Sequence, residues 1–259
     1  MTMRPIFLAV LLCAAGSVHA AMVARNVDYT IGDQAYQGVL VYDDASSAKR
    51  PGLLMIPNWY GIGTDAVAKA KSIAGKEYVI FLGDMYGKGV RPADNAGAEA
   101  AIKPLYADRK LMRSRVNAAL DQLRAQEKSA PIDPARIAAI GFCFGGSAVL
   151  DLARSGAAVA AVVSFHGGLS TDNPLLARNI RARVLAMNGA DDRGTMPDAP
   201  AFEREMGNSP ADWQFVVFGH AVHCFTEVGD NSPGCRYDAK IAARAYRLMH
   251  FWLADSFAN

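Results

Sequence analysis

The strongest constraint on the fold comes from one short segment, which reads Ile140-Gly141-Phe142-Cys143-Phe144-Gly145-Gly146-Ser147. An apolar run precedes it, and an Ala/Leu-rich run of helical character follows it. The pattern Gly-x-nucleophile-x-Gly is typical of a tight turn from strand to helix, where a flanking Cβ would clash and the nucleophile has a strained backbone. Such a turn points the sulfur of Cys143 at the positive end of the helix, which favours the thiolate. The segment predicts a reactive nucleophile; the alternative is a buried structural cysteine beside helix-packing glycines.

Size and charge restrict the class of protein further. A chain of 259 residues with 51% hydrophobic residues is long enough to bury one sizeable core. We therefore expect residues 21–259 to form a single domain. The formal net charge is only +2 and no basic run stands out, which argues against nucleic acid as a partner.

Residues 1–20 have the pattern of a signal peptide. A short basic stretch is followed by an apolar run over residues 6–15, and Val18-His19-Ala20 provides small or permissive residues for cleavage. The alternative, a membrane-anchoring helix, needs ~20 apolar residues, and this run ends too soon. The sequence thus predicts an exported protein, in a bacterial periplasm or outside the cell, without a stable membrane anchor.

Export changes the interpretation of the cysteines. Cys13 is removed with the signal peptide, which leaves Cys143, Cys224 and Cys235. In an oxidising compartment Cys224 and Cys235 are close enough in sequence to form a disulfide. Cys143 would then be the odd free thiol, and catalysis is one explanation for keeping it.

Apolar segments of strand length alternate with helical segments along the rest of the chain. The predicted strands are residues 34–42, 52–56, 78–82, 136–142, 159–165, 184–187 and 213–218. The predicted helices are residues 69–76, 96–107, 111–126, 147–153 and 239–253. This alternation predicts an α/β fold with a mostly parallel central sheet and helices on both faces. Catalytic residues are then expected in loops at the carboxyl ends of strands.

Acidic and histidine side chains follow two later strands of the predicted sheet. Asp191 and Asp192 come after the sixth predicted strand, and His220 and His223 come after the seventh. Together with Cys143 they give the chain order nucleophile, acid, base, as in α/β-hydrolases. A cysteine nucleophile needs a base for its proton, and the base needs a third group that fixes its tautomer and stabilises the imidazolium.

A set of short motifs is spread over the mature chain: Pro51-Gly52, Asn58-Trp59-Tyr60-Gly61, Gly83-Asp84-Met85-Tyr86-Gly87, Gly141-Phe142-Cys143-Phe144-Gly145-Gly146, Gly189-Ala190-Asp191-Asp192, Ala221-Val222-His223-Cys224-Phe225-Thr226 and Tyr237-Asp238. In these motifs the chain resembles the dienelactone hydrolase family. The resemblance implies an α/β-hydrolase fold, no cofactor, and cleavage of a carboxylic ester or lactone through a thioester intermediate.

The resemblance also implies the roles of individual residues. Cys143 is the implied nucleophile and His223 the implied base. Asp192 is the implied acid, because the family spacing is Gly-x-x-Asp counted from Gly189, and Asp191 is the fallback.

Further residues are expected around these three groups. The resemblance implies the backbone N–H groups of Trp59 and Phe144 as the donors that stabilise an oxyanion. Tyr60, Tyr86 and His166 are expected beside the substrate or directly behind the catalytic groups. Each also has a structural interpretation, as a packing or surface residue.

Asn58 is the clear departure from the family pattern. The family commonly has a Glu here that interacts with the nucleophilic thiol, and a His where this chain has Pro57. Asn cannot accept a proton at physiological pH. Thiol activation is therefore assigned to His223 and the helix terminus, and the resting Cys143 is expected to pair directly with His223.

Two other classes of protein fit parts of the sequence. Asn58 is compatible with a non-catalytic protein that binds a small ligand on a hydrolase fold, and the cysteines are compatible with a thiol redox protein. No metal is expected at His220, His223 and Cys224, since no further cluster with ligand spacing accompanies them. We expect a monomer whose partner is a small ester or lactone.

Overall fold

The central element of the structure is one eight-stranded sheet. The computed structural model describes residues 22–258, so the predicted signal peptide lies outside the described residues. The strands are β1 (Met22–Ile31), β2 (Gln34–Asp43), β3 (Arg50–Ile56), β4 (Val79–Leu82), β5 (Ile132–Phe142), β6 (Ala161–Phe165), β7 (Arg183–Gly189) and β8 (Trp213–Phe218). Their order is β1-β2-β4-β3-β5-β6-β7-β8, and β2 alone runs antiparallel to its neighbours.

Helices cover both faces of this sheet. They are α1 (Thr64–Ala74), α2 (Asn95–Ala107), α3 (Arg109–Ala125), α4 (Phe144–Arg154), α5 (Ala199–Gly207) and α6 (Ala239–Ala258). The apolar side chains of α1 and α6 pack in one core cluster, and those of α2, α3, α4 and α5 pack in the other. Within residues 22–258, no helix combines the length and the apolar character needed to cross a membrane.

The predicted α/β fold class is confirmed, and the errors lie at the edges of the sheet. The strand β1 was not predicted, because its residues are largely exposed and its strand conformation depends on pairing with β2. The helix α5 was not predicted either, and the predicted start of α1 at residue 69 is wrong, since the helix begins at Thr64. The central strands, where both faces are buried, were located to within a few residues.

A buried ion network holds α4 against its neighbours. Arg154 is 1% exposed and donates to both oxygens of Glu205 on α5 at 2.8 Å. It also pairs with Asp151 on its own helix, which in turn pairs with Arg109 on α3. Removing one partner of such a network leaves a buried charge uncompensated, so the network fixes the position of α4.

The first turn of α4 lies against the end of β3 at Gly145. A Cβ at this position would be 2.1 Å from the carbonyl oxygen of Ile56 and 2.5 Å from that of Pro57. Backbone atoms cannot yield as flexible side chains do, so only glycine permits this approach. The contact brings the loop after β3 next to the turn that carries Cys143.

Substitution of this glycine should therefore disrupt the fold locally. We expect Gly145→Ala to lower the free energy of unfolding by about 3 kcal/mol or more, because backbone must move to make room. Gly207→Ala is the matched control: nothing lies within 4 Å of its added Cβ at the end of α5. Urea unfolding of both variants measures the difference. Equal stability of the two variants would contradict the close contact.

Candidate active site

The three residues predicted to act together lie in direct contact. Cys143 occupies the turn between β5 and α4, Asp192 follows β7, and His223 follows β8. The Nε2 atom of His223 is 3.1 Å from Sγ of Cys143, and its Nδ1 atom is 2.7 Å from Oδ2 of Asp192. The imidazole thus faces the thiol with one nitrogen and the carboxylate with the other, the arrangement that a base and its orienting group require.

Asp192, and not Asp191, is the carboxylate that contacts the base. Asp192 is buried, whereas Asp191 is exposed. The oxygens of Asp192 also accept hydrogen bonds from the Thr195 hydroxyl at 2.7 Å and from the Gly194 N–H at 3.0 Å. The side-chain amide of Asn188 donates to the same Thr195 hydroxyl. These bonds leave Asp192 a single orientation toward the histidine.

The loops that carry the acid and the base touch at a second glycine. Gly189 ends β7, and a Cβ there would lie 2.4 Å from the carbonyl oxygen of Ala221. The N–H of Asp191 donates to that same oxygen at 2.9 Å. The segment before His223 can approach this closely only because residue 189 has no side chain.

The surroundings of His223 favour its protonated form. Burial opposes a charged imidazole, but the hydrogen bonds to Asp192 and Cys143, with the negative charges of both groups, raise the pKa of His223 to about 10. Burial likewise opposes a charged Asp192, yet the hydrogen bond and charge of His223 hold the pKa of that carboxyl below its usual value. The site therefore holds an imidazolium between a carboxylate and the sulfur.

Replacing Asp192 with Asn should lower the pKa of His223, because the charge that holds the proton is lost. Because the pKa of His223 is higher in the folded protein than its value of about 6.5 in the unfolded chain, protonation of His223 stabilises the fold by its full amount at pH values below about 6.5. That stabilisation is lost as the pH rises through the folded value of about 10. An NMR titration of the His223 ring measures the pKa in wild type, in Asp192→Asn and in the exposed control Asp191→Asn. Equal values in all three proteins would refute the assigned contact.

The predicted oxyanion donors line the same cavity as Cys143. Phe144 is the first residue of α4, and Trp59 lies in the loop after β3. The N–H of Cys143 itself points away from the cavity and donates to the carbonyl oxygen of Phe165 at 3.0 Å. The N–H groups of Trp59 and Phe144 therefore stay the predicted donors.

Tyr86 lies behind Trp59 and Phe144 and is not among the residues that line the cavity. Its ring stacks on that of Phe144 with centroids 5.7 Å apart, and its hydroxyl donates to the carbonyl oxygen of Trp59 at 2.9 Å. Of the two interpretations of Tyr86, the structure favours a buried support that braces both predicted oxyanion residues. Tyr60, in contrast, lines the cavity, and its hydroxyl bonds to Asn95.

Asn58 also lines the cavity, but both ends of its amide are engaged with protein groups other than the sulfur. Its Nδ2 atom donates to Oε2 of Glu227 at 2.9 Å, and its Oδ1 atom accepts from the Tyr60 N–H at 3.1 Å. Glu227 is nearly buried and pairs with Lys69 at 2.5 Å. A carboxylate therefore lies beside position 58 although the chain has no Glu there.

Glu227 is the residue of the site that the sequence analysis missed. It follows the Ala-Val-His-Cys-Phe-Thr motif directly, where an acidic residue has no distinctive meaning. Its partners Asn58 and Lys69 are 169 and 158 residues away in the chain, so only folding reveals the cluster.

A disulfide between Cys224 and Cys235 holds the segment that carries the base. Cys224 directly follows His223, and the backbone of His223 pairs with Cys235 and accepts from the Arg236 N–H at 3.0 Å. Cys143 is the free cysteine among the described residues. The paired sulfurs are not thiolates and cannot ligate a metal as such.

Removal of the disulfide should loosen the base before the fold is lost. The cross-link spans 11 residues, and we expect Cys224→Ser/Cys235→Ser to lower the free energy of unfolding by about 3 kcal/mol. Mass spectrometry of the mature protein after alkylation without reductant should find a single alkylated thiol, Cys143. Three alkylated thiols, or unchanged stability of the double variant, would contradict this expectation.

Cys143, Asp192 and His223 line a cavity of about 1750 Å³. Aromatic side chains form one part of its wall: Trp59, Tyr60, Tyr106 and Phe144. The loops after β7 and β8 form most of the rest, and they contribute several carboxylates to the lining: Asp191, Asp198 and Asp230. The cavity is large enough for a small organic substrate.

The fold is that of an α/β-hydrolase, and Cys143, Asp192 and His223 meet at the ends of β5, β7 and β8. The sequence model of the dienelactone hydrolase family matches residues 37–257, and the chain belongs to that family. The resemblance drawn from its motifs is thereby confirmed, and the family and fold are those of a hydrolase.

Individual relatives agree with this assignment. A dienelactone hydrolase-like promiscuous phosphotriesterase from metagenomic libraries superposes with a TM-score of 0.84 at 37% identity, covering 91% of this chain and 98% of its own. A second solved structure, described as m3DLH, has a TM-score of 0.85 at 35% identity, covering 92% of this chain and 99% of its own. An uncharacterized protein of Caenorhabditis elegans is 32% identical over 154 residues, which cover 57% of this chain and 95% of that protein.

Proposed function

We propose that this protein hydrolyses a carboxylic ester or lactone, with Cys143 as nucleophile, His223 as base and Asp192 as its orienting group. The observation that carries the proposal is the pair of contacts made by one imidazole, at 3.1 Å to the sulfur and 2.7 Å to the carboxylate. Membership of the dienelactone hydrolase family supports it.

The proposed reaction has two halves. The Cys143 thiolate attacks the carbonyl carbon, and the electrons of the C=O bond move to its oxygen, which accepts from the N–H groups of Trp59 and Phe144. As the oxyanion collapses, the C–O bond breaks and the His223 imidazolium gives its proton to the leaving alkoxide. Water, deprotonated by His223, then attacks the thioester, and the acid is released as the thiolate is restored.

A chromogenic ester tests this proposal. We expect mature wild-type protein to hydrolyse p-nitrophenyl butyrate, and Cys143→Ala to lower kcat by at least about 1000-fold, since the covalent route is lost. Asp191→Asn is the matched control and should keep most of the activity. Equal turnover by Cys143→Ala and wild type would overturn the mechanism. Ligand-induced stabilisation without any turnover would instead support the non-catalytic binding protein.

Phosphotriester hydrolysis is a second candidate function. A relative with 37% identity over 91% of this chain is described as a promiscuous phosphotriesterase. The same thiolate would attack phosphorus and displace an aryloxide, and water would then release the phosphodiester. Diethyl p-nitrophenyl phosphate, assayed with wild type and Cys143→Ala, tests this activity. Absence of Cys143-dependent p-nitrophenol release would exclude it.

The charges around the cavity favour a substrate without a carboxylate near the reacting bond. Lys69 pairs with Glu227 and His223 pairs with Asp192, which leaves Asp191, Asp198 and Asp230 with one further cation among the residues that line the cavity, Arg193. Burial and the charge of Glu227 raise the pKa of Asp230 more than the charges of Lys69 and His223 lower it. An anionic substrate group beside Asp230 and Glu227 would therefore meet like charge.

A pair of esters that differ only in charge measures this preference. We expect the p-nitrophenyl ester of monomethyl adipate to exceed p-nitrophenyl hydrogen adipate in kcat/KM by about 10-fold at low salt, since like-charge repulsion of about 1.4 kcal/mol corresponds to that ratio. The Asp230→Asn substitution and added salt should each reduce the ratio of the two kcat/KM values. Glu127→Gln, before β5 at the opposite end of the strands, should leave it unchanged. Faster hydrolysis of the anionic ester would contradict the expectation.

Export after removal of residues 1–20 is proposed as well. The disulfide between Cys224 and Cys235 supports it, since such bonds persist in oxidising compartments. The intact mass of the protein recovered from the periplasm or medium tests it. A full-length mass, or recovery from the cytoplasm alone, would contradict export.

A further inference from the structure

The imidazole of His166 connects the nucleophile turn to the segment that carries the base. His166 follows β6 and is fully buried, with a backbone φ of 40°. Its Nδ1 atom accepts from the backbone N–H of Cys143 at 3.2 Å, an N–H shared with the Phe165 carbonyl. Its Nε2 atom is 2.7 Å from the hydroxyl of Thr226, shortly after His223 in the chain.

These contacts determine the tautomer of His166. A backbone N–H can only donate, so the Nδ1 atom that faces Cys143 must be unprotonated. The proton is then on Nε2 and is donated to the Thr226 hydroxyl. The relay therefore runs from the backbone of Cys143 through His166 to the hydroxyl of Thr226.

Neighbouring charges keep His166 neutral. Burial lowers its pKa well below the usual value, and the positive charges of His223 and Lys69 lower it further. Glu227 is the carboxylate on this side, with Oε1 3.8 Å from Nε2. The ring of His166 meets that of His223 edge-on at 5.1 Å, so the two histidines differ in charge although they are adjacent.

We propose that His166 is a positioning residue: through the Thr226 hydroxyl it fixes the backbone of Cys143 relative to the segment of His223. Cys143 itself has a positive φ of 53°, a conformation that neighbouring contacts must hold in place. The relay also keeps the Cys143 N–H bound to groups in the core. Of the two neighbouring N–H groups, that of Phe144 is then the one available to a substrate oxygen in the cavity. The role in turnover rests on the proposed hydrolase function; the positioning of the thiol does not.

Thr226→Val tests the relay without altering any group that touches the substrate. Valine keeps the shape of threonine but cannot accept from Nε2. We expect kcat for p-nitrophenyl butyrate to fall about 10- to 100-fold with KM nearly unchanged, as for a small misplacement of a reacting group. The rate of Cys143 alkylation by iodoacetamide at pH 7 should fall in parallel, and Thr226→Ser should restore both.

Ser164→Ala is the matched control. Ser164 lies on β6 close to His166, and its buried hydroxyl has no hydrogen-bond partner among the described residues, so its loss should leave both rates unchanged. If Thr226→Val does not fold, His166→Asn replaces it, because Asn tolerates positive φ but cannot span from Cys143 to Thr226. Alkylation and turnover at wild-type rates in the folded variant would overturn the relay. If the alkylation rates of the variants change as expected but the wild-type protein hydrolyses no ester, the relay stands and the ester hydrolase is rejected.

Discussion

The closeness of two backbone segments at Gly145 is the constraint on which the rest of the site depends. The carbonyl oxygens of Ile56 and Pro57 lie where a Cβ of residue 145 would be. This contact places the loop after β3, with its predicted oxyanion donor Trp59, against the first turn of α4. At Gly189 a Cβ would likewise meet the carbonyl oxygen of Ala221, so the loop that carries Asp192 lies against the segment before His223. Two residues without side chains thus bring the separate strand ends within hydrogen-bond distance of one another.

Electrostatics then determine what this geometry does. The imidazole of His223 lies between the Asp192 carboxylate and the sulfur, and both neighbours stabilise its positive charge more than burial opposes it. The ring of His166 lies 5.1 Å from that of His223 but stays neutral, because burial and the positive charges of His223 and Lys69 lower its pKa well below the usual value. In the proposed mechanism the two adjacent histidines therefore serve different purposes: His223 holds a proton near the nucleophile, and His166 positions the backbone of Cys143.

The sequence was sufficient for the residues whose roles are local. The spacing around Cys143 predicted the strand–turn–helix, because only glycine fits on either side of the nucleophile. Strand ends indicated an acid at Asp191 or Asp192 and a base at His220 or His223, and the family resemblance selected Asp192 and His223. Contacts between distant segments were not predictable in this way. Glu227 meets Asn58 and Lys69 only in the folded chain, and the link from His166 to Thr226 joins residues 60 positions apart. The edge strand β1 was missed for the same reason, since its conformation comes from pairing and not from burial.

The most direct test of the central claim is to isolate the covalent intermediate. Wild-type protein mixed with p-nitrophenyl butyrate, quenched in acid within milliseconds and digested, should yield one peptide that carries the butyryl mass on Cys143. That adduct should be labile to neutral hydroxylamine, as a thioester is. Ester turnover with no acyl adduct on Cys143, or with the adduct on another residue, would contradict the proposed mechanism.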